Sequence, residues 1–297
     1  DIVPKDLGLL VVDEEQRFGV THKEKIKEYK TNVDVLTLTA TPIPRTLQMS
    51  MVGMRSLSLI ETPPVDRYPI QTYVVEENKQ IIRDAIYKEL SRNGQTYILF
   101  NKVESIERKA NEIKSLVPDA SVSFAHGQMS ERELEKIMMA FISGEIDVLV
   151  ATTIIETGLD ISNVNTIIID HADKMGLSQL YQLRGRVGRG DAQSYCIMVN
   201  CSNSKESQKR LDILNHSNDG FKIASEDLKL RGPGDFFGIR QSGEMQFALA
   251  DIYQDAYIMQ RASEEVADIL GKDPELSSED HKNLKDYLEL FLSDQRN

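Results

Sequence analysis

Two short apolar runs open the chain, at residues 7–12 and 33–38, and polar residues follow each of them directly. Near-continuous runs of Val and Leu are typical of strands buried on both faces of a parallel sheet. Polar residues after such strands stand where an open α/β sheet places its ligand site. Because the Pro-rich stretch 60–69 follows only two strands, the pattern predicts an incomplete sheet and then a linker.

Strands and helices then alternate up to about residue 200. The predicted strands are 71–75, 95–100, 122–125, 147–151, 166–170 and 194–199, and the predicted helices are 79–91, 105–116 and 130–143. Ser130 and Glu133 form a capping box at the start of the last of these helices, and Gly144 follows its last turn. Such alternation with short connections predicts a doubly wound parallel sheet.

From about residue 203 the chain is mostly charged and compatible with helix, apart from a Gly- and Pro-rich stretch at 230–238. Because Gly and Pro at that density forbid a regular helix, we expect helices that flank an ordered loop. The acidic end, from residue 270 on, is expected to fray. The predicted parts are therefore 1–62, 68–201 and 203–297.

Composition narrows the class of protein. The chain has 297 residues with 40% hydrophobic and 28% charged residues, which indicates a globular protein of two or three units. No apolar run approaches the roughly 20 residues that span a bilayer, so no membrane partner is expected. Two cysteines are too few for a disulfide framework or a zinc site. The net charge of −12 argues against a surface coated for nucleic acid, but not against a local positive track.

Chemistry-bearing residues follow the first two strands. Asp13 can hold Mg²⁺ through its water shell, and Glu14 can orient the water that attacks a γ-phosphate. Taken alone, two adjacent acids after an apolar strand are more often incidental. Thr39 and Thr41 follow the second strand and can couple a nucleotide site to a DNA track. The alternative for these threonines is an ordinary strand-to-loop turn.

The segment 182–189, Gln-Leu-Arg-Gly-Arg-Val-Gly-Arg, carries the strongest signal. Arg186 and Arg189 are three residues apart, so at helical spacing they are predicted to share a face. Two guanidiniums projected together suit the γ-phosphate of a nucleotide bound by another lobe. The glycines are expected to let the facing domain approach closely. A solvated basic helix, the alternative, does not explain the paired Gly-Arg repeats beside Gln182.

A third group of candidates lies after the strand predicted at 147–151. Thr152, Thr153 and the backbone amides around them can bind a DNA phosphate, while Gly158 and Asp160 are expected to face an interdomain cleft. A plain strand-to-helix loop is the alternative.

Two further candidates are expected at the same sheet edge. Asn101 follows a strand, and His126 precedes the N-terminus of a helix. For His126, positioning of the DNA backbone is the most that the sequence supports, because a lone turn histidine is more often only hydrogen-bonded.

Taken in order, residues 13–16, 39–41, 152–160 and 182–189 resemble motifs II, III, V and VI of superfamily 2 helicases. Segments 13–20, 39–46 and 176–182 look most like the branch of the transcription-repair coupling factors and RecG, and 227–234 with 240–243 look like its translocation signature. The resemblance implies an α/β protein with RecA-like doubly wound parallel sheets. The first motor lobe would be partial, the second complete, and a mostly helical translocation element would follow.

By this resemblance, the whole protein would be an ATP-dependent translocase of double-stranded DNA that acts in DNA repair in the bacterial cytoplasm, with ATP and Mg²⁺ as cofactors. Catalysis would involve Asp13 as the metal ligand, with Glu14, Gln182, Arg186 and Arg189. The nucleotide would also contact Gln16, Gly158 and Asp160. Arg231 and Gln241 would hold the translocation loop against a helical hairpin, although a loop pinned for stability alone is the alternative.

The resemblance leaves the partner open. RNA polymerase would be the partner of a coupling factor, and branched DNA the partner of a RecG-type helicase. No G-x-x-x-x-G-K-[ST] loop occurs in the 297 residues, so the N-terminal half of the first lobe is expected to be a missing partner, and the chain to be inactive alone. A non-catalytic DNA- or protein-binding module is the hypothesis from another class.

Overall fold

The computed structural model describes residues 6–14, 33–39, 58, 60, 68–153, 161–231 and 256–294. The chain divides into two compact units. The first comprises Asp1–Pro42 with Pro64–Asp227, and the second comprises Ile43–Pro63 with Leu228–Asn297. The three-part division made from the sequence stays a prediction, and the linker predicted at 60–69 lies largely outside the described residues.

The first unit contains a small parallel sheet of β1 (Leu9–Asp13) and β2 (Asp34–Leu38), in which Asp13 pairs with Leu38. The predicted strands are confirmed, but their predicted burial on both faces is wrong. Val12 is buried, whereas four other apolar side chains are exposed: Leu9, Val11, Leu36 and Leu38. An apolar run predicts a strand, but its burial depends on what packs against the sheet.

The first unit also contains a larger sheet of six parallel strands, as the alternation predicts. The strands are β3 (Gln71–Glu76), β4 (Gln95–Leu99), β5 (Val122–Ala125), β6 (Val148–Ala151), β7 (Val164–Ile169) and β8 (Tyr195–Asn200). Their order is β3-β8-β7-β4-β6-β5, with β4 near the middle. This is a doubly wound α/β sheet, and the predicted fold class is confirmed.

Helices cover both faces of this sheet, because alternate strand residues point to opposite faces. On one face α1 (Lys79–Leu90) and α2 (Val103–Leu116) form a core with Ile98, Val150 and Ile168. On the other face α3 (Glu131–Ile142), α4 (Leu177–Arg184) and α5 (Lys205–His216) form a core with Leu149 and Ile167.

The capping box predicted for α3 is present. The Ser130 hydroxyl donates to the Glu133 carboxylate across 3.0 Å, and the Glu133 backbone N–H donates back to the hydroxyl across 3.4 Å. α6 (Gly220–Arg231) then runs from the first unit into the second.

The second unit contains α7 (Ala256–Lys272) and α8 (Lys282–Asp294), joined by a turn that ends in a short 3-10 helix, Glu279–His281. The expected fraying of the acidic end is wrong over α8. The Asp273 carboxylate accepts hydrogen bonds from the backbone N–H groups of Ser277 and Ser278, each at 2.9 Å, and organises the turn before the helix. Among the described helices of both units, none has the length and apolar character to cross a bilayer.

Candidate functional site

The structure places several of the predicted residues at one edge of the large sheet. β4, β6 and β5 are parallel neighbours, so the loops that follow them emerge side by side. Asn101 follows β4, His126 follows β5, and Thr152 and Thr153 follow β6. Backbone hydrogen bonds join these loops, among them the one from the Thr152 N–H to the Ala125 carbonyl at 3.3 Å. The predicted common edge is confirmed, while binding of DNA there stays a prediction.

These side chains differ in their surroundings. Asn101 is exposed, Thr153 and His126 are half-buried, and Thr152 is buried. The His126 ring stacks on Phe124 with centroids 6.1 Å apart, and its buried Nδ1 has no hydrogen-bond partner among the described groups. Because a buried polar atom normally has a partner, this nitrogen suits a bound water or a phosphate oxygen.

The two candidate arginines of segment 182–189 do not share a helical face, so that prediction is wrong. Gln182 lies in α4, but the helix ends at Arg184. Arg186 and Arg189 lie in the turn beyond it, held by a hydrogen bond from the Arg186 N–H to the Leu183 carbonyl at 3.0 Å. Gly188, with φ of 81°, takes the chain out of helical geometry between the two arginines.

The turn nevertheless brings both arginines to one region. Burial raises the pKa of Tyr97 to about 12, and the positive charges of Arg186 and Arg189 both oppose this shift. The two guanidiniums therefore lie within electrostatic range of the same phenol. Val187, which stands between them, is 1% exposed and anchors the turn in the core. Tertiary packing, not helical spacing, sets the position of the pair.

The glycines of this turn are required inside the first unit. A Cβ at Gly188 would lie 3.0 Å from Cγ1 of Ile70, and a Cβ at Gly190 would lie 2.6 Å from the Ser162 carbonyl oxygen. The expectation that the glycines serve the approach of a facing domain is not what these contacts show. They allow the turn to pack against its own lobe.

Arg184 is a residue of this segment to which the sequence analysis gave no role. Its side chain is 3% exposed, and Nη1 donates to the carbonyls of Leu214 at 3.0 Å and Ser217 at 2.9 Å. Burial lowers the pKa of this guanidinium. The signal was the spacing of Arg184 from Leu180, four residues earlier on the core face. Arg184 ties the end of α4 to the end of α5.

The nucleotide residues predicted in the small sheet also lie together. Asp13 ends β1, Glu14 follows it, and Thr39 follows β2, so all three stand at the same end of the β1–β2 pair. The Glu14 N–H donates to the Leu38 carbonyl at 3.0 Å. Glu14 has a φ of 52°, a left-handed conformation that is costly for a side-chain-bearing residue and recurs at functional sites. The exposed Asp13 carboxylate is a donor of the kind that a hydrated Mg²⁺ takes.

Five predicted site residues lie outside the described residues: Gln16, Thr41, Gly158, Asp160 and Gln241. Of Arg231 only the backbone is described, at the last position of α6. Their predicted roles stay predictions.

Comparison with known proteins identifies the family. Residues 77–191 match the family described as helicase conserved C-terminal domain, and residues 217–290 match ATP-dependent DNA helicase RecG, domain 3, C-terminal. The transcription-repair coupling factor of Bacillus subtilis is 54% identical over 99% of this chain. The chain belongs to the helicase branch of the coupling factors and RecG.

Other relatives of this helicase chain agree with that assignment. The coupling factor of Staphylococcus haemolyticus is 52% identical over 97% of the chain. The chain spans about a quarter of the length of these curated relatives, 25% in each case. A structure of RecG bound to a three-way DNA junction is 34% identical, with a TM-score of 0.67, and the match covers 88% of this chain and 34% of that one.

More distant structures share only the fold of this helicase chain. Yeast Dbp5 with the L327V substitution, bound to RNA and ADP BeF3, is 16% identical with a TM-score of 0.52, over 89% of this chain and 64% of that one. The helicase MrfA bound to DNA is 18% identical with a TM-score of 0.51, over 71% of this chain and 33% of that one.

Proposed function

We propose that the protein to which this chain belongs is an ATP-dependent translocase of double-stranded DNA of the coupling-factor type. It would act in DNA repair in the bacterial cytoplasm, with RNA polymerase as its partner. The observation that carries the proposal is the 54% identity with the Bacillus subtilis coupling factor along 99% of the chain. The identity spans both sheets and α4 to α8, so it is not confined to a common helicase core.

Within this proposal, the chain supplies groups for ATP hydrolysis. Bound ATP with Mg²⁺ supplies the γ-phosphate whose transfer to water drives the motor. Asp13 would hold the ion through water, and Glu14 would orient the attacking water. Arg186 and Arg189, with Gln182 beside them, would stabilise the negative charge that develops on the phosphate. The proximity of both arginines to Tyr97 supports a shared role for the pair.

The sheet edge would contact the duplex. Asn101, His126, Thr152 and Thr153 present amide, imidazole and hydroxyl groups, which bind phosphates without reading bases. Thr39 and Thr41 would couple this track to the nucleotide, and Arg231 with Gln241 would pin the translocation loop. Most of these contacts are uncharged, and the net charge is −12. We therefore expect a shallower salt dependence than that of a broadly basic DNA-binding protein.

The test uses the full-length protein. Arg186→Ala and Arg189→Ala should each lower DNA-stimulated ATP turnover by about 100-fold or more, with little change in the KM for ATP, because the arginines act on the transition state. Arg132→Ala, which removes an exposed arginine on α3, is the matched control and should leave turnover unchanged. Turnover that survives both substitutions would defeat the proposal.

A RecG-type branch-migration helicase is the second candidate, with branched DNA at stalled forks and Holliday junctions as its substrate. The match of residues 217–290 to the RecG domain and the 34% identity with the junction-bound RecG structure favour it. The two candidates separate in one pair of assays on the full-length protein. Displacement of stalled RNA polymerase without junction unwinding supports the coupling factor, and the reverse supports RecG.

A non-catalytic binding module is the remaining candidate, because the 297 residues contain no phosphate-binding loop. We propose instead that the chain alone has negligible ATPase activity and weak, salt-sensitive DNA affinity. Robust ATP hydrolysis by the 297-residue chain would contradict this. Full-length protein that neither hydrolyses ATP nor responds to Arg186→Ala would favour the binding module.

A further inference from the structure

Three side chains with metal-binding chemistry meet at the ends of β7 and β8, away from the residues assigned above. Asp170 and His171 follow β7, which ends at Ile169, and Cys201 follows β8, which ends at Asn200. β7 and β8 are parallel neighbours. Residues 30 positions apart in sequence are therefore brought together by the sheet.

The ligand atoms of these residues are close to one another. Nδ1 of His171 lies 2.8 Å from Oδ1 of Asp170 and 3.8 Å from Sγ of Cys201, and all three atoms lie within 4.8 Å of one another. In a tetrahedral zinc site, bond lengths of about 2.0 to 2.3 Å put neighbouring ligand atoms about 3.3 to 3.6 Å apart. Adjustments of about half an ångström in the side chains would bring the three atoms to that spacing.

The arrangement does not suit a Cys–His–Asp relay. In such a relay the carboxylate and the nucleophile contact different nitrogens of the imidazole. Here Asp170 and Cys201 both approach Nδ1 of His171. Three ligand atoms that converge on one point, with the imidazole nitrogen among them, are the geometry of a metal site.

The local charge also favours a cation. The Asp170 side chain is 6% exposed, and the Asp173 carboxylate accepts the Cys201 N–H at 3.0 Å. Burial and then the carboxylates of Asp170, Glu77 and Asp173 raise the pKa of the Cys201 thiol. The potential at the sulfur is therefore negative, and a divalent cation would reverse its effect on the thiolate.

Lys109 is the main opposing charge. Its ammonium lies 3.0 Å from Oδ2 of Asp170, the carboxylate oxygen that does not contact His171. Oδ1 is left toward the imidazole and the thiol. Lys109 thus orients the carboxylate as an outer partner does in known metal sites, while the ligand oxygen stays on the opposite side.

We propose that Asp170, His171 and Cys201 bind a divalent transition-metal ion of the zinc class, with water as the remaining ligand. Mixed imidazole, thiolate and carboxylate donors suit zinc better than Mg²⁺ or Ca²⁺. The carboxylate and thiolate together balance the charge of the ion, and binding releases the thiol proton to solvent. The cysteine count spoke against a zinc site, but this one needs a single cysteine. The ion would clamp the ends of β7 and β8 together.

The test uses the 297-residue chain, reduced and freed of metal with EDTA. Addition of Co²⁺ should give one equivalent of binding, with a thiolate-to-cobalt charge-transfer band in the near ultraviolet. Cys201→Ser should abolish the band although Cys196 remains, and His171→Ala should weaken Zn²⁺ binding by about tenfold or more. His216→Ala, at an exposed histidine of α5, is the matched control and should bind as the parent does.

Circular dichroism establishes that each variant is folded, and Zn²⁺ should raise the Tm of the parent and of His216→Ala but not of Cys201→Ser. Absence of the charge-transfer band in the parent would overturn the proposal. So would a band that persists in Cys201→Ser. Neither result bears on the ATPase proposal, because no step of the measurement uses ATP or DNA.

Discussion

The Ser178 hydroxyl donates a hydrogen bond to the Asp227 carboxylate across 2.5 Å. Ser178 lies in the first turn of α4, and Asp227 lies on α6 with 2% of its surface exposed. Together with Arg184 at the other end of α4, this bond fastens the helix that leads into the arginine turn. A shift of α4 would therefore have to involve α5 and α6.

Removal of the hydroxyl should be costly for its size. Ser178→Ala takes a donor from a buried carboxylate, so we expect the free energy of unfolding to fall by about 1 to 3 kcal/mol. Urea unfolding at neutral pH measures the change. Ser91→Ala, which removes an exposed hydroxyl bonded to the Lys88 carbonyl, should change the free energy by less than about 0.5 kcal/mol. Equal effects from the two substitutions would show that the Ser178 bond is not special.

The buried guanidinium of Arg184 gives a second prediction. Arg184→Met should lower the free energy of unfolding by about 2 to 3 kcal/mol, because two carbonyls at the end of α5 lose a charged donor. Arg184→Lys should recover only part of the loss, since an ammonium cannot reproduce the planar fork. Arg132→Met on the exposed face of α3 is the matched control for urea unfolding. A loss no larger than the control's would contradict the capping role.

Three Gly-to-Ala substitutions separate backbone strain from steric contact. Gly144 and Gly188 both have φ of 81°, but only Gly188 has a neighbour, Ile70, in the path of a new Cβ. Gly144→Ala should cost about 1 to 2 kcal/mol from strain alone, and Gly188→Ala should cost more. Gly271→Ala, in α7 with open space around it, should stabilise the chain by about 0.5 to 1 kcal/mol. Thermal unfolding should rank them in that order, and any other order would contradict the assigned causes.

Acid should weaken the turn between α7 and α8. Hydrogen bonds from the Ser278 backbone, His281 and the Ser277 backbone hold the pKa of Asp273 below its ordinary value of 3.8. A depressed carboxyl pKa contributes stability that is present above the unfolded value and is lost as the pH falls through the folded one. The Tm difference between the parent and Asp273→Asn should therefore be largest near neutral pH and shrink below about pH 4.

Asp286→Asn, at an exposed position of α8, provides the comparison for this pH series. Its Tm should follow that of the parent at every pH, because the change removes a solvated carboxylate. A constant difference between the parent and Asp273→Asn from pH 7 to pH 3 would show that the Asp273 hydrogen bonds do not depend on its charge.

Much of the fold followed from local pattern. The apolar runs at β4 and β6 and the capping box of α3 predicted elements close to those observed, because the apolar periodicity of a segment reflects the geometry of its own backbone. The common edge of Asn101, His126 and Thr152 was also predictable. Parallel strands place their carboxyl ends together, so the residues after each strand become neighbours.

The sequence by itself determined the order of elements, the parallel sheet and the edge that carries the candidate site. Only the tertiary structure decided that α4 stops at Arg184, that Arg184 is buried, and that His171 and Cys201 meet. Local pattern encodes how a segment folds on itself. The partners that stabilise a buried charge lie far along the chain, 30 residues away for Leu214 and 49 for the Ser178–Asp227 pair, and only packing brings them into contact.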